Sequence, residues 1–383
     1  MKILLVGAGG YASLYVNALL NSKNPDICFE GIVDPYFANC RQKESIINKQ
    51  IPIYNTMEEF YAKHTADLAV ISTPPFLHLE QSLFAVSHGS DVLCEKPAAP
   101  TVGEVKKMIE AEKEYGKFIA IGYQWSYSSS MQQLKQDILN GAFGKAISFK
   151  TAVSWPRNRA YYGRSTGWAG KISKNGVLVL DSIASNACAH YLHNMFFLLG
   201  KTMNTSAFPL SISADCFRAN LIENFDTCAI KIQMPENVRL LFIASHAAEK
   251  TRNPEFIYKF ENAVVSYSKD DGDNIIANFF DGRVKSYGSP FDDATIKLWK
   301  CVDAVNSGKK PICTAETALA HTELIGMLYA NVPIFDFPEE AKRINIETDG
   351  IYVEGLYDIM YRAYKEEKLF SEIISVVNNT IHL

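Results

Sequence analysis

The chain of 383 residues is 48% apolar and 21% charged, a globular mix that rules out disordered and collagen-like classes and suits two domains, or three. Net charge is −4 with no long basic run, which argues against nucleic acid as a partner, and no apolar run approaches the ~20 residues of a membrane span. The apolar stretch after Lys2 runs straight into glycines, too short for a signal peptide, so a cytoplasmic protein is expected; the eight cysteines, none in C-x-x-C or zinc spacing, read as reduced, buried thiols with no metal site.

In chain order, Lys2–Val6, Ile27–Val33, Leu68–Ser72, Asp91–Cys94 and Phe118–Gly122 read as strands. They are apolar almost throughout, as parallel strands covered on both faces must be. Between them Tyr11–Leu20, Pro75–His88 and Val102–Tyr115 read as helices, the last with Thr101 as N-cap and Glu104 in the capping-box position. This alternation predicts an α/β domain over 1–123 with a doubly wound parallel sheet. Past Gly122 the rhythm changes. Ser126–Asn140 reads as a helix and Lys145–Trp155 as a strand. Ser211–Leu221, Cys228–Gln233, Arg239–His246, Phe256–Glu261 and Val264–Ser268 then follow as strands with few helices between them. Residues 124–383 are therefore expected to form an α+β domain with an open, mainly antiparallel sheet. Helices return at Asp292–Asn306, Thr314–Tyr329, Val353–Glu366 and Lys368–Asn378.

Gly7-Ala8-Gly9-Gly10-Tyr11-Ala12 is G-x-G-x-x-A between the first strand and the first helix. Gly7 permits a tight turn, Gly9 lets a pyrophosphate approach the backbone, and Ala12 lets helix and strand pack closely. The helix start offers free N–H groups to phosphate, with Gly10 and Tyr11 in the turn. Asp34 ends the second predicted strand, about 20 residues on, where a carboxylate binds ribose hydroxyls and repels a 2′-phosphate. That pattern favours NAD over NADP. Two more loops end strands and point at the same cleft: Ser72-Thr73-Pro74-Pro75 with His78, and Cys94-Glu95-Lys96-Pro97. A lysine buried against a cofactor loses its proton more easily, so Lys96 is a candidate acid/base; most Lys-Pro pairs are ordinary turns.

These pieces together resemble the Gfo/Idh/MocA oxidoreductases, which include glucose–fructose oxidoreductase and inositol 2-dehydrogenase. The resemblance rests on GAGGYA at 7–12, Asp34, STPPFLH at 72–78 and CEKP at 94–97, with His190 and Gly200 further on. It implies an N-terminal Rossmann domain, a C-terminal substrate-binding and oligomerisation domain, and hydride transfer to or from a nicotinamide. By that resemblance Lys96 lies near nicotinamide and substrate, and a homo-oligomer, dimer or tetramer, is expected.

The family pattern of a later helix, Asp-x-x-x-His-x-x-Asp, reads here Asn186-x-x-x-His190-x-x-His193. At 100° per residue these three side chains share a face, opposite an apolar stripe of Cys188, Leu192, Met195 and Leu199. His190 is the better acid/base candidate, since imidazole titrates near neutrality. His193 stands where relatives carry a carboxylate. It is either a catalytic or orienting group, whose protonated form would suit an anionic substituent, or a packed structural side chain. Arg157, Tyr161, Arg164 and Trp168, with Tyr123 and Trp125, make an aromatic and basic set suited to stacking on a sugar and bonding an acid or phosphate group, or else to ordinary packing. Asp181 either touches the ligand or caps a helix. The expected function is NAD-dependent oxidation or reduction of a sugar, cyclitol or related polyol. A hydrolase using transient oxidation and a non-catalytic NAD sensor are the alternatives.

Overall fold

A computed structural model describes residues 1–164, 167–291, 293–377 and 380–382. The chain divides into two compact units, Met1–Ser128 with Phe291–Leu319, and Ser129–Pro290 with Ala320–Leu383. The segment Phe291–Leu319, placed by its sequence position in the C-terminal domain, clusters with the first unit.

The first unit is built on six parallel strands in the order Ile53–Tyr54, Cys28–Val33, Lys2–Val6, Leu68–Ile71, Asp91–Cys94, Ile119–Ile121. Lys2–Val6 and Leu68–Ile71 occupy the centre and bury Ile3, Leu4, Leu5 and Val70 completely, as strands covered on both faces must. The order reverses direction between these two strands, the place where open α/β sheets bind ligands at their carboxyl ends. The helix Val102–Tyr115 starts with the expected capping box: Thr101 Oγ1 accepts from the Glu104 N–H, and Glu104 accepts from the Thr101 N–H at 2.9 Å. Gly116, at φ 64°, ends it in the left-handed conformation glycine takes without strain.

The second unit carries a nine-stranded mixed sheet, ordered Val284–Gly288, Ile275–Phe279, Ala263–Ser268, Arg252–Phe260, Ala146–Ser154, Arg239–Ser245, Thr227–Gln233, Ser211–Arg218, Ile334–Asp336. Its pairs are antiparallel except for Ala146–Ser154 beside Arg239–Ser245 and Ser211–Arg218 beside Ile334–Asp336. Alternation sorts its two faces. Ala152, Leu241, Ile243 and Phe217 pack with Leu356, Met360 and Tyr364 of the amphipathic helix Leu356–Glu366. On the opposite face Phe149 stacks on Tyr258 at 4.2 Å, and the Tyr258 hydroxyl accepts from Asn194 on the helix Ala189–Leu198.

The C-terminal stretch departs from expectation. The helix expected from Val353 begins at Leu356, after Gly355 at φ 80°, because Gly350–Val353 pairs as a strand with Lys342–Asn345. In place of a helix over Lys368–Asn378 there is one 3₁₀ turn, Phe370–Glu372, and an extended Ser375–Val377; Asn378 lies outside the described residues. The β-branched pair Val376 and Val377 favours extended backbone. Asp292, the expected start of another helix, also lies outside the described residues, and that helix runs Ile296–Ser307. No disulfide joins any of the eight cysteines, and of them Cys28 is exposed.

Candidate functional site

In the first unit the glycine turn folds against the next loop. Gly7 has φ 86°, and a Cβ there would lie 2.6 Å from the Ser72 carbonyl oxygen, so no other residue fits without displacing that backbone. Gly9 and Gly10 open onto free space, with nothing within 4 Å of an added Cβ. The backbone between the first strand and the helix Ser13–Leu20 is therefore approachable, as a pyrophosphate site requires. The helix is entered through a 3₁₀ turn, Gly10–Ala12, with Ala12 fully buried beneath it. Asp34 follows the strand Cys28–Val33, and both its oxygens are oriented: Ala8 N–H donates to one and Tyr36 N–H to the other, each at 2.8 Å. Each oxygen keeps lone-pair capacity for a ribose hydroxyl. These residues fit a dinucleotide.

The other two loops are tied together from behind. His78 is fully buried, and its nitrogens face the carbonyl oxygens of Pro97 and Thr73, both at 2.9 Å. Burial pulls this imidazole below its ordinary range against those two carbonyls. With both nitrogens engaged, His78 ties the two loops to each other. Thr73 donates to Gln81 at 2.6 Å, and Pro74 leads into the 3₁₀ turn Pro75–Leu77. Glu95 is buried too. Its Oε1 accepts from the Tyr15 hydroxyl and from Lys297 Nζ, each at 2.5 Å, and its Oε2 accepts from the Lys96 N–H at 3.2 Å. Burial alone would raise this carboxyl, but the Lys297 ammonium outweighs it and holds Glu95 below the usual carboxylate range. Lys297 is 0% exposed, also donates to the Gly122 carbonyl, and lies 4.6 Å from the centre of the Tyr11 ring. Tyr11 itself is 42% exposed. Lys96, between buried Glu95 and Pro97's cis peptide, is only partly buried. Tyr123 and Trp125, expected as sugar platforms, are buried, and Trp125 packs edge-on to Phe291.

In the second unit the single straight helix expected through Asn186 and His193 is broken. Ile183–Ala187 forms a π-helical turn, and the α-helix begins at Ala189. The wider turn takes Asn186 out of the 100° register, and its side chain instead donates to Asp181 at 2.7 Å. Ser182, not Asp181, caps that turn. Of the α-helix's ten residues, His190 alone escapes burial. His193 is 1% exposed, and burial, with His321 and Lys135 adding, holds it well below the ordinary histidine range. Burial thus favours the neutral imidazole of His193, against the positive charge expected of it from the sequence.

Four other expected residues do come together. The Arg157 and Arg164 guanidinium carbons lie 4.7 and 4.2 Å from the Tyr161 ring centre, and Arg164 lies 5.0 Å from Trp168. Asp181 accepts from Gly170 N–H at 2.7 Å as well as from Asn186. The sequence offered no pointer to His246, which ends the strand Arg239–Ser245, meets the Trp155 carbonyl through Nδ1 at 2.8 Å and faces the Tyr161 ring. Burial, reinforced by Arg157 and Arg164, pulls His246 down to about 3. The unfolded chain binds this proton below about pH 6.5 and the folded chain does not, so stability falls as pH drops through that range. At pH 5 the loss from His246 is about 2 kcal/mol. The His246→Asn variant should show a correspondingly shallower decline in urea midpoint between pH 7 and 5. An unchanged slope would mean that this imidazole takes up its proton in the folded state.

Among the described residues no helix is long and apolar enough to cross a membrane. Residues 1–123 match the model of an oxidoreductase family with an NAD-binding Rossmann fold. The chain is 26% identical over 192 residues to glucose-6-phosphate 3-dehydrogenase of Bacillus subtilis, covering 48% of this chain and 52% of that enzyme. It is 27% identical over 153 residues to inositol 2-dehydrogenase of Renibacterium salmoninarum, covering 40% and 45%. The chain spans about half the length of the curated relatives it matches. Its fold is similar to that of an oxidoreductase from Agrobacterium radiobacter solved with NAD+, L-tartaric acid and magnesium, with TM-score 0.71 and 16% identity over 87% of this chain and 97% of that one. Residues 1–123 of the chain are thus similar to the NAD-binding Rossmann fold of the Gfo/Idh/MocA oxidoreductase family.

Proposed function

We propose that the protein is an NAD-dependent dehydrogenase that moves hydride between the nicotinamide and a CH–OH carbon of a sugar, cyclitol or related polyol. The observation that carries this is the glycine turn at 7–12 together with the Asp34 carboxylate, held in place by the Ala8 and Tyr36 N–H groups. Relatives named for oxidation of sugar phosphates and inositol support the substrate class. NAD, when bound, supplies the hydride acceptor. The chain's own part is to bind and orient, with Lys96 and His190 proposed to hold and move the hydroxyl proton. Arg157, Tyr161, Arg164 and Trp168 are proposed as substrate contacts. A cytoplasmic homo-oligomer, dimer or tetramer, belongs to the same proposal; eight cysteines with no disulfide among them suit a reducing compartment.

The test is NADH accumulation at 340 nm with a panel of sugars, inositols and sugar acids. Stoichiometric NADH supports the proposal. Product formed with no net NADH would point instead to redox-assisted hydrolysis, which regenerates its cofactor. Cofactor choice is a second readout. Asp34 should bind NADH about tenfold or more tighter than NADPH, since charged hydrogen bonds are gained on one and charge repulsion is met on the other. Equal affinities in a fluorescence titration would remove Asp34 from the ribose site.

A further inference from the structure

Arg157 and Arg164 flank one ring, and their stacking on Tyr161 covers guanidinium faces while the N–H edges remain available for in-plane bonding. Three of those edge atoms, Arg157 Nε and Arg164 Nε and Nη2, are buried and have no hydrogen-bond partner. Buried charged donors left unsatisfied are costly, and neither arginine joins an ion pair among those found in the described residues. The nearby groups do not supply the missing acceptor. Asp181 is engaged by Gly170 and Asn186, and the His246 Nδ1 is engaged by the Trp155 carbonyl. Asp226, the other carboxylate acting on this cluster, is engaged by Ala219, Asn220 and Thr227, so neither carboxylate is found closing the arginine edges. Trp168 Nε1 and the hydroxyl of Tyr162, whose ring lies 5.0 Å from that of Tyr161, are likewise buried without a partner.

We propose that Arg157 and Arg164 form a clamp for a carboxylate or phosphate on the substrate, so that the protein selects acidic or phosphorylated sugars over neutral ones. This rests on the proposed sugar-dehydrogenase function and names its substrate class. Planar guanidinium edges match both oxyanions, and the two are separated by experiment.

Calorimetric titration of the NADH-loaded protein with glucose, glucuronate and glucose 6-phosphate reads the clamp. At least one anionic sugar should bind tenfold or more tighter than glucose, and the better of the two identifies carboxylate or phosphate as the natural group. Arg157→Met and Arg164→Met keep an apolar stem over Tyr161. Each should lose about 10- to 100-fold on the anionic sugar, at least tenfold more than it loses on glucose. Arg164→Lys, which restores charge without the planar fork, should recover only part of the loss. Thermal unfolding in phosphate or glucuronate against chloride, at matched ionic strength, reads the same site without requiring the rest of the sugar to fit. The wild type should gain several degrees and the methionine variants none. Equal affinity for glucose and both anions, or an equal thermal shift in wild type and variants, overturns the clamp. NADH formation on neutral sugars would survive that failure, whereas anion binding without any NADH formation would sink the dehydrogenase function and leave the clamp.

Discussion

Replacing Lys96 with alanine is expected to lower turnover by about 10²-fold or more while NADH affinity barely changes, the usual size of a lost acid/base contribution. The loop that presents this lysine is fixed independently of its ammonium group. Glu95 is held from below by Tyr15 and Lys297, and His78 meets the Pro97 carbonyl on the other side. Truncating Lys96 should therefore remove a proton carrier without collapsing the loop. Because Glu95 already has a countercharge at 2.5 Å in Lys297, a neutral Lys96 does not strand that carboxylate. Lys96→Arg should fail to rescue turnover, since guanidinium keeps its proton at any working pH. The measurements are kcat on the substrate that forms NADH and Kd for NADH by fluorescence. If turnover survives in Lys96→Ala, the lysine is only a neighbour of Pro97.

The nucleotide half was legible because its signals are local. A glycine whose φ must be positive, an acidic residue at a strand end and a Thr101–Glu104 capping box each occupy a few consecutive residues. Five of the six strands show as short apolar runs; the edge strand Ile53–Tyr54, two residues long, carries no such signal. What could not be read locally depends on distant pairing. The sequence places Glu95 in a loop facing the cofactor cleft and gives no local sign of its partner Lys297, 202 residues away. One signal was available: Lys297, Cys301 and Ala304 fall on the buried stripe of their helix, and a lysine in an apolar stripe calls for a buried partner. The polar face assigned to Asn186, His190 and His193 assumed an unbroken α-helix. A π-helical turn has no sequence signature of comparable strength, and it left His190 as the one side chain of that set on the α-helix and outside the core. Tyr123 and Trp125, which the sequence left open between sugar platform and ordinary packing, are both buried, and aromatic composition does not distinguish the two.

Lys297→Met should cost about 3–5 kcal/mol of stability at pH 7, the range for breaking a buried ion pair by removing one partner. The wild-type carboxylate has two close donors on one oxygen; the variant keeps only the Tyr15 hydroxyl and loses the positive charge. Coulombic attraction currently holds Glu95 below the usual carboxylate range and Lys297 above the usual lysine range. Stability from the lowered Glu95 is present above the unfolded-state value near 4.3 and fades as pH falls through the folded value. Stability from the raised Lys297 is present below its unfolded value near 10.4 and fades as pH rises past that. In the variant, desolvation of Glu95 loses its main opponent and raises its pKa, so acid relieves the penalty by protonating the carboxyl. The gap between wild type and Lys297→Met should therefore be widest near neutrality and shrink toward pH 4. Glu95→Gln combined with Lys297→Met removes both charges and should recover much of the loss, because the uncompensated ion is gone. A gap that stays constant with pH, and a double variant no better than the single one, would assign the effect to lost packing of the lysine stem against Tyr11 and Tyr15 in place of charge.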